Sequence, residues 1–256
     1  MKDLFSVAGK SVLITGGSRG IGLMIARGFV AGGARVYISS RKAEVCDATA
    51  AELATEGTCI SLPEDISSEA GTQRLAKRFA EHESHLDVLV NNAGTNWAAP
   101  LADYNDAAFD KVLSVNVRGV FNMTREFTPL LAASGTAETP ARVINIGSID
   151  GLSVPMLETY AYSTSKAAVH HMTRVLARHL AAQHITVNAV APGPFPSHMM
   201  KATLENFGDA IVAQVPLGRI GTPEDMAGIA LFLASRAGAY VTGAIIPVDG
   251  GMASCS

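Results

Sequence analysis

The architecture of the chain is set by one stretch near its start, which reads Ser11-Val12-Leu13-Ile14-Thr15-Gly16-Gly17-Ser18-Arg19-Gly20-Ile21-Gly22. The apolar residues before the glycines predict a buried strand, and the apolar stripe after them predicts an amphipathic helix. Glycines let the backbone turn tightly and let a phosphate approach bare N–H groups at the start of a helix. A glycine turn without a ligand is the alternative, but the strand before the turn and the helix after it favour dinucleotide binding.

The same alternation of strand and helix continues along the chain. Six further apolar runs that predict strands lie at residues 34–40, 58–62, 86–90, 142–146, 185–190 and 244–248. Strands that alternate with helices in this way form one parallel sheet that is covered on both faces. The sequence therefore predicts an α/β fold, with a single Rossmann-type domain over residues 1–256 and a doubly wound parallel sheet of about seven strands.

The composition argues against several classes of partner. The chain has 20 Lys and Arg against 23 Asp and Glu and contains no basic block, which argues against nucleic acid. Its three cysteines have no metal-ligand spacing, so no metal site is predicted. No apolar run approaches the ~20 residues that a membrane span needs. The start of the chain lacks a basic segment followed by a long apolar run, so we expect a cytoplasmic protein.

The end of the second predicted strand indicates which cofactor is bound. A dinucleotide fold places an acid there when it reads a free ribose 2′-hydroxyl. Here the residues are Ser39-Ser40-Arg41-Lys42, without a carboxylate. Arg41 can instead pair with a 2′-phosphate, and Arg19 in the glycine loop can reach the same group. Two solvated arginines are the alternative, but their position favours NADP(H) over NAD.

Three further polar positions each have two interpretations. Asp65 follows the third strand, where it could accept a hydrogen bond from the adenine amino group or cap the helix that begins near Ser68. The turn Asn91-Asn92-Ala93-Gly94 follows the fourth strand, where it could lie against a flat ligand or fix the strand structurally. Asn116 falls among the apolar members of a helical stripe, and a buried amide needs partners, either in a local structural device or in a polar relay.

A candidate acid lies in the second half of the chain. Tyr162 and Lys166 are four residues apart, so on a helix they share one face. An ammonium beside a phenol is expected to lower the phenol pKa from its usual ~10. Ser148 follows the strand at 142–146, where its hydroxyl can donate to the oxygen that Tyr162 protonates. These side chains could place a proton on a carbonyl while another group supplies hydride, although Tyr-x-x-x-Lys alone also arises by chance.

Together these motifs resemble the short-chain dehydrogenase/reductase family along essentially the whole chain. The elements that carry the resemblance are Thr15-Gly16-x-x-x-Gly20-x-Gly22, Asn91-Asn92-Ala93-Gly94, Asn116, Ser148, Tyr162-x-x-x-Lys166 and Pro192-Gly193. The resemblance implies that Tyr162, not Tyr160, donates the proton, that Asn116 holds a water in a proton relay, and that Lys166 also holds the nicotinamide ribose. The implied catalytic residues are Asn116, Ser148, Tyr162 and Lys166. The implied NADP(H) contacts are Gly16, Ser18, Arg19, Gly20, Ile21, Gly22, Ser40, Arg41, Asp65, Ile66, Asn92, Ala93, Gly94, Tyr162, Lys166, Pro192, Gly193, Phe195 and Ser197.

One position departs from the family pattern. A threonine often follows the Pro-Gly pair and contacts the nicotinamide amide, whereas this chain reads Pro194-Phe195-Pro196-Ser197. The resemblance therefore implies that Ser197 takes over that contact.

The segment at about 194–219 breaks the pattern of strands and helices, because it is too apolar for a plain linker and too irregular for one helix. We interpret it as a substrate lid, and an ordinary docked loop is the alternative. Trp97 and Met156 follow two other strand ends and could face the same cleft. Such a lining would favour a ketone with an alkyl chain. The apolar lid residues are Phe195, Met199, Met200, Leu204 and Phe207.

The predicted activity is NADP(H)-dependent reduction of a ketone to a secondary alcohol. Within the family the chain is similar to bacterial 3-oxoacyl reductases at residues 142–148, 160–162 and 238–243, which implies a 3-oxoacyl thioester as substrate and a homotetramer as assembly. A secondary-alcohol, polyol or steroid dehydrogenase is the alternative on the same machinery. A catalytically silent dinucleotide-binding regulator is the alternative from another class, and the intact set of Ser148, Tyr162 and Lys166 argues against it.

Overall fold

The computed structural model describes residues 3–197 and 200–255, which contain a sheet of seven strands. The strands are β1 (Ser11–Thr15), β2 (Arg35–Ser39), β3 (Thr58–Ser61), β4 (Val88–Asn91), β5 (Ala141–Ile146), β6 (Ile185–Pro192) and β7 (Ile245–Val248). They pair in parallel throughout, in the order β3-β2-β1-β4-β5-β6-β7. The prediction of a doubly wound parallel sheet of about seven strands is confirmed.

Helices connect the strands. They are α1 (Gly20–Ala31), α2 (Ala43–Leu53), α3 (Glu69–Ala80), α4 (Asp106–Leu113), α5 (Val120–Ser134), α6 (Tyr160–Leu180), α7 (Lys201–Gln214) and α8 (Pro223–Ala234), with a π-helical turn (Ser114–Gly119) between α4 and α5. Among the described residues, no helix combines the length and the apolar character that a membrane crossing requires.

Neighbouring residues of the strands alternate between two hydrophobic cores. Val12 and Ile14 pack in the core that is formed with α1, α2 and α8. Leu13, between them in sequence, packs in the core that is formed with α3, α5 and α6. This alternation follows from the two-residue period of a strand. Because both faces of the sheet are covered, the strands read as continuous apolar runs and not as alternating ones.

The strand order reverses between β1 and β4, which are neighbours in the sheet but not in sequence. At such a reversal the connections leave in opposite directions and open a crevice at the carboxyl ends of the strands. Thr15, the last residue of β1, fixes this point because its Oγ1 accepts from the backbone N–H groups of Asn92 and Ala93, both at 3.1 Å. The crevice therefore begins where hydrogen bonds hold the ends of two central strands together.

The lid segment contains a regular helix, which corrects the expectation that residues 194–219 are too irregular for one. Helix α7 spans Lys201–Gln214. Among residues 203–214, Ile211 is the one buried side chain, and Gly208 lies in the middle of the helix. A helix that buries so little gives a weak apolar period, which explains why the sequence pattern did not indicate it.

Candidate active site

A cleft of about 1280 Å³ lies at the carboxyl ends of the strands. The segments that follow β1 to β6 all contribute to its walls, so the motifs that are scattered in sequence meet there. The predicted cofactor residues that line it are Gly16, Ser18, Arg19, Gly20, Ile21, Ser40, Arg41, Asp65, Ile66, Asn92, Ala93, Gly94, Tyr162, Lys166, Pro192, Gly193, Phe195 and Ser197.

Gly22 is the predicted cofactor residue that does not line the cleft, and its contact with the cofactor stays a prediction. A Cβ at this position would lie 2.2 Å from the Gly16 oxygen and 2.4 Å from Nδ2 of Asn92. Gly22 therefore lets the first turn of α1 pack against the glycine loop from behind. Its role is to shape the loop that faces the cleft.

The turn after β4 is tied to the glycine loop, which supports its structural interpretation. Asn92 Nδ2 donates to the backbone oxygens of Thr15 at 2.9 Å and Gly16 at 3.1 Å. Gly16 itself has a φ of +66°, in the left-handed region that favours glycine. The wall formed by Asn92, Ala93 and Gly94 is thus held rigidly, and it also lines the cleft.

Cationic and hydroxyl groups gather at the end of the cleft beside β2. Arg19 precedes α1 and Arg41 follows β2, and both are exposed at the cleft. Within the described residues, the Oγ atom of Ser40 is buried and has no hydrogen-bond partner. Two guanidinium groups and an unpartnered hydroxyl are the donors that a ribose 2′-phosphate requires. The residues present therefore fit the phosphate of NADP(H).

Of the two interpretations of Asp65 that the sequence leaves open, the structure excludes the helix cap. Asp65 lines the cleft, and its Oδ1 accepts from the Ser67 backbone N–H at 3.0 Å. It does not cap α3, because Ser68 is the N-cap and its Oγ accepts from the Gly71 backbone N–H at 3.2 Å. Its place in the cleft lining leaves the contact with the adenine amino group as the remaining interpretation.

Ser148, Tyr162 and Lys166 meet at the wall beside β5. Ser148 directly follows β5 and Gly147, and its Oγ accepts from the Asp150 backbone N–H at 3.1 Å, which leaves its own proton to donate elsewhere. Tyr162 and Lys166 lie one turn apart on α6, and the Lys166 Nζ is 5.4 Å from the centre of the Tyr162 ring. The predicted common face is confirmed by this contact.

The pKa of Tyr162 shifts in the direction opposite to the expected one. It is raised to about 12, mainly by burial and then by the charge of Asp150, while the hydrogen bond with Ser148 lowers it. The expected lowering of this pKa is wrong because burial opposes the charged phenolate. Tyr162 is therefore a protonated phenol at neutral pH, which is the form of a proton donor.

Lys166 is almost fully buried, and its Nζ donates to the backbone oxygen of Ile146 at 2.7 Å. Burial lowers its pKa to about 8, while the charge of Asp150 raises it. This ammonium is directed toward the end of β5, and its protonation changes close to physiological pH.

Asn116 lies behind the cleft wall and is not part of the lining. It sits in the π-helical turn, where Nδ2 donates to the Thr95 oxygen at 2.9 Å and to Ser165 Oγ at 3.0 Å, and Oδ1 accepts from the Thr95 N–H at 2.9 Å. Both polar atoms of its side chain therefore have partners, and its role in a proton relay stays a prediction. Gly94 separates it from the cleft, since a Cβ there would lie 3.4 Å from Asn116 Oδ1 and 3.8 Å from Lys166 Nζ.

Tyr160 and Trp97 lie outside the cleft lining. The Tyr160 hydroxyl donates to Glu158 Oε1 at 2.6 Å on the exposed surface, which agrees with the choice of Tyr162 as the candidate acid. The placement of Trp97 at the cleft is wrong: its side chain is 47% exposed, beside the loop that leads to α4.

The predicted lid contributes to the cleft at several positions. Met200 and Phe207 line it, as does Met156 on the opposite loop, whereas Leu204 does not. Met199 lies outside the described residues. Ser197 faces the glycine loop, since a Cβ added to Gly20 would lie 3.3 Å from the Cβ of Ser197.

Sequence reasoning missed a buried polar chain beneath the catalytic wall. Asn91 Nδ2 donates to Asn145 Oδ1 at 2.9 Å and to Thr124 Oγ1 at 3.2 Å, and Asn145 Nδ2 donates to Thr173 Oγ1 at 2.9 Å. These hydrogen bonds join α5 and α6 to β4 and β5, where Asn91 and Asn145 are paired in register. An asparagine inside each of two apolar strands was the available signal.

Comparison with known proteins identifies relatives along almost the whole chain. Residues 16–253 match the protein family described as Enoyl-(Acyl carrier protein) reductase. The rhamnolipids biosynthesis 3-oxoacyl-[acyl-carrier-protein] reductase of Pseudomonas aeruginosa is 50% identical over 253 residues, 98% of this chain and 99% of that protein. The galactitol 2-dehydrogenase (L-tagatose-forming) of Cereibacter sphaeroides is 37% identical over 255 residues, 98% of this chain and 97% of that protein.

The fold is also that of solved structures. The Pseudomonas aeruginosa RhlG/NADP active-site complex matches with a TM-score of 0.95 at 50% sequence identity. The match covers 99% of this chain and 100% of that one, so the parallel sheet and the helices around it correspond throughout.

Proposed function

The chain belongs to the short-chain dehydrogenase/reductase family, and on that premise we propose that it is an NADPH-dependent reductase of 3-oxoacyl thioesters. One observation carries the proposal: a protonated Tyr162 beside Ser148 faces a cleft whose other wall is largely apolar. The relative that is 50% identical is named a 3-oxoacyl-[acyl-carrier-protein] reductase, and the solved structure at the same identity is named an NADP complex. Both names agree with this site.

The cofactor would lie at the end of the cleft that is formed by the glycine loop and the residues after β2. Arg19, Arg41 and Ser40 hold the 2′-phosphate, the glycine loop holds the pyrophosphate at the start of α1, and Lys166 holds the nicotinamide ribose. Bound NADPH supplies the hydride. The fit rests on the two exposed guanidinium groups and the unpartnered Ser40 Oγ at the end of β2.

Tyr162 and Ser148 act on the oxygen of the ketone. Tyr162 gives its proton to this oxygen, and the Ser148 hydroxyl donates a hydrogen bond to it, which stabilises the charge that develops during reduction. The raised pKa of Tyr162 keeps the phenol loaded with its proton at neutral pH. Lys166 and a water held near Asn116 restore that proton after each turnover.

The substrate lies between the loop that carries Met156 and helix α7. Met156, Met200 and Phe207 line this side of the cleft, and such side chains suit an alkyl chain better than a hydroxylated sugar, which needs fixed polar partners. The polyol alternative is represented by the galactitol 2-dehydrogenase, so the substrate side and not the catalytic set distinguishes the two.

The family description also names an enoyl reductase, which provides a second candidate reaction. In that reaction the proton goes to carbon, whereas Ser148 and Tyr162 lie together as two donors for one oxygen. Reduction of a ketone uses both donors on the same atom. We therefore place the ketone first.

The test follows NADPH absorbance: its loss with 3-oxoacyl thioesters of increasing chain length and with an enoyl thioester of matched length, and its gain with a polyol and NADP. We expect catalytic efficiency on the 3-oxo series to rise by up to about fourfold per methylene until the cleft is filled. A flat response along the series, or a preference for the polyol or the enoyl compound, would remove the 3-oxoacyl assignment.

We further propose a homotetramer. Phe121 on α5 and Val175 on α6 are 43% and 44% exposed, so both helices present large apolar side chains at the surface. Family members commonly pair these two helices across a two-fold axis, as the sequence resemblance implies. Light scattering at micromolar concentration is expected to give four times the chain mass, and Val175→Glu is expected to reduce it. A monomer mass for the wild type would refute this assembly.

We also propose a cytoplasmic setting. Cys46 and Cys59 are buried free thiols, and Cys255 is an exposed one. Free thiols persist in a reducing compartment. Fractionation of the producing cells, followed by detection of the chain, is expected to place it in the cytoplasm.

A further inference from the structure

The substrate side of the cleft carries a carboxylate that the proposed reaction does not use. Asp150 lies two residues after Ser148, in the short helical turn Ile149–Gly151, and it lines the cleft with its side chain partly exposed. Its backbone N–H holds the Ser148 Oγ at 3.1 Å. The carboxylate is therefore attached to the same turn as a hydroxyl that acts on the substrate oxygen.

Asp150 is the ionisable side chain of the substrate walls, as far as the side chains of these walls are described. The segments 148–157 and 200–214 form these walls, and among their described side chains that line the cleft Asp150 is the one that can carry a charge. The others are hydroxyl, amide or apolar side chains, such as Ser153, Gln214 and Phe207. The cations that line the cleft are Arg19, Arg41, Lys42, Lys111 and Lys166.

Three titratable groups face Asp150 from α6. The charge of Asp150 acts on Tyr162 and Lys166, since it raises the pKa of both. His170 lies beneath the same turn, because a Cβ on Gly151 would be 2.9 Å from its Cε1, and burial lowers its pKa to about 4. Burial raises the pKa of Asp150, and Lys166 lowers it. Asp150 is thus close enough to the reacting groups to act on a charge in the substrate.

We propose that Asp150 is a specificity-determining residue that excludes ketones with a carboxylate near the reacting carbon and admits neutral thioesters and esters. This inference rests on the proposed ketone reduction and narrows its substrate class. A substrate carboxylate beside Asp150 would meet a like charge, and the described side chains of segments 148–157 and 200–214 that line the cleft offer it no basic partner. The nearby Lys166 ammonium already donates to the Ile146 backbone oxygen at 2.7 Å. A thioester presents a neutral group at the same place, so it meets no such repulsion.

The experiment compares a 4-oxo acid with its methyl ester, a pair that differs by one charge and does not decarboxylate readily. The wild-type enzyme with saturating NADPH is expected to prefer the ester by at least about tenfold in kcat/KM, the scale of a like-charge repulsion across several ångström at a partly screened site. Asp150→Asn is expected to bring this preference to about threefold or less by raising kcat/KM for the acid. Asp150→Ser serves as a second variant if the first does not fold, as judged by circular dichroism.

The matched control is Glu158→Gln, which removes a carboxylate on the same loop but outside the cleft lining. It is expected to keep the wild-type preference for the ester. A preference that stays the same in both Asp150 variants, while they still reduce the ester, would overturn the proposal. Loss of the preference in Glu158→Gln as well would also overturn it, because a general change in surface charge would then explain the selectivity.

A pH series separates a charge effect from a merely structural one. The preference of the wild type for the ester should narrow as the pH falls and Asp150 takes up a proton, and it should narrow less in Asp150→Asn, where only the substrate acid titrates. If the wild type reduces neither these compounds nor any 3-oxoacyl thioester, the proposed function fails; if it reduces a thioester but neither member of the pair, the proposed function stands. The charge inference is then decided by calorimetry on the NADP-loaded protein, where equal dissociation constants for acid and ester in the wild type would overturn it.

Discussion

The cofactor side of the cleft is fastened by hydrogen bonds between strand ends, whereas the substrate side consists of one loop and one helix that face each other across the cleft. On the cofactor side, Thr15 and Asn92 bind each other's backbone in several places. On the substrate side, one hydrogen bond across the cleft is the weak contact from Gln214 Nε2 to the Met156 sulfur at 3.5 Å. A side that is held by buried backbone tolerates little change, whereas a side made of exposed side chains can be remodelled without loss of the fold.

The exposure of the two sides supports this difference. Val154 is 96% exposed, Met156 69% and Phe207 49%, although all three line the cleft. Such apolar side chains gain little stability for the folded protein, because water still reaches them. They are available to bind an apolar ligand, and their burial by that ligand would contribute to the free energy of binding. Substitutions on the two sides should therefore affect different kinetic constants.

Tyr162 stands where the two sides meet, and Tyr162→Phe gives the largest expected effect. Deletion of the proton donor should lower kcat by at least ~100-fold, the usual scale of general acid catalysis. Cofactor binding, measured by NADPH fluorescence, should stay nearly intact. Tyr160→Phe is the control, since Tyr160 bonds Glu158 on the surface. Near-normal activity in Tyr162→Phe would show that another residue is the acid and would contradict the assignment of both sides.

Arg41→Asp tests the cofactor side alone. Removing a guanidinium from the 2′-phosphate and adding a like charge should raise KM for NADPH by about 50-fold relative to KM for NADH, since a charged hydrogen bond is worth ~1.5–3 kcal/mol. KM for the ketone should not move. Arg27→Ala, which removes an exposed arginine that pairs with Glu52 on α2, is the control. Faster turnover of NADH than of NADPH by the wild type at equal low concentration would contradict the assignment.

The pH dependence of reduction tests the group that both sides share. Lys166 has a pKa lowered to about 8 by burial, so it is charged below that pH and loses its proton as the pH rises through it. Once the ammonium is gone, kcat/KM should fall by about tenfold per pH unit. Lys166→Arg should remove this decline, since a guanidinium keeps its proton. A rate that stays constant up to pH 9.5 in the wild type would show that the charge of Lys166 is not needed.

Met156→Ala gives the smallest expected effect and tests the substrate side alone. It removes an exposed cleft residue and its contact with Gln214. Efficiency on the longest thioester should fall by about 3–5-fold, roughly the value of one lost methylene-sized contact or slightly more, while short substrates and NADPH are unaffected. Leu101→Ala, an exposed apolar residue outside the cleft lining, is the control. An equal loss on short and long substrates would contradict a chain-binding role.

The sequence predicted the cofactor side well because each of its parts is local. A strand, a glycine turn and a helix are neighbours in the chain, and parallel strands must bring their carboxyl ends to one edge. The positions of Arg41, Asp65 and Asn92 along the cleft follow from that rule, and all three line it. The sequence did not show that Gly22 packs behind the loop, because a glycine that shapes a loop and a glycine that contacts a ligand look the same in sequence.

The rest could not be predicted, because it depends on burial and on contacts between distant segments. The pKa of Tyr162 is set by how deeply α6 lies against β5, which no spacing reveals. Helix α7 buries little and therefore lacks a clear period. The hydrogen bond between Asn91 and Asn145 joins residues 54 positions apart and depends on the register of β4 and β5.

The π-helical turn at Ser114–Gly119 makes the structure sensitive to the number of residues in this region. Such a turn holds one residue more than the α-helical path would, and it interrupts an otherwise regular rod. A deletion of one residue would restore regularity and favour the isolated helix, yet it would rotate Asn116 by about 100° relative to the residues on one side of the deletion. The amide would then lose either Thr95 or Ser165. Chain length is thus under constraint here independently of side-chain identity, and point substitutions cannot repair a change in it.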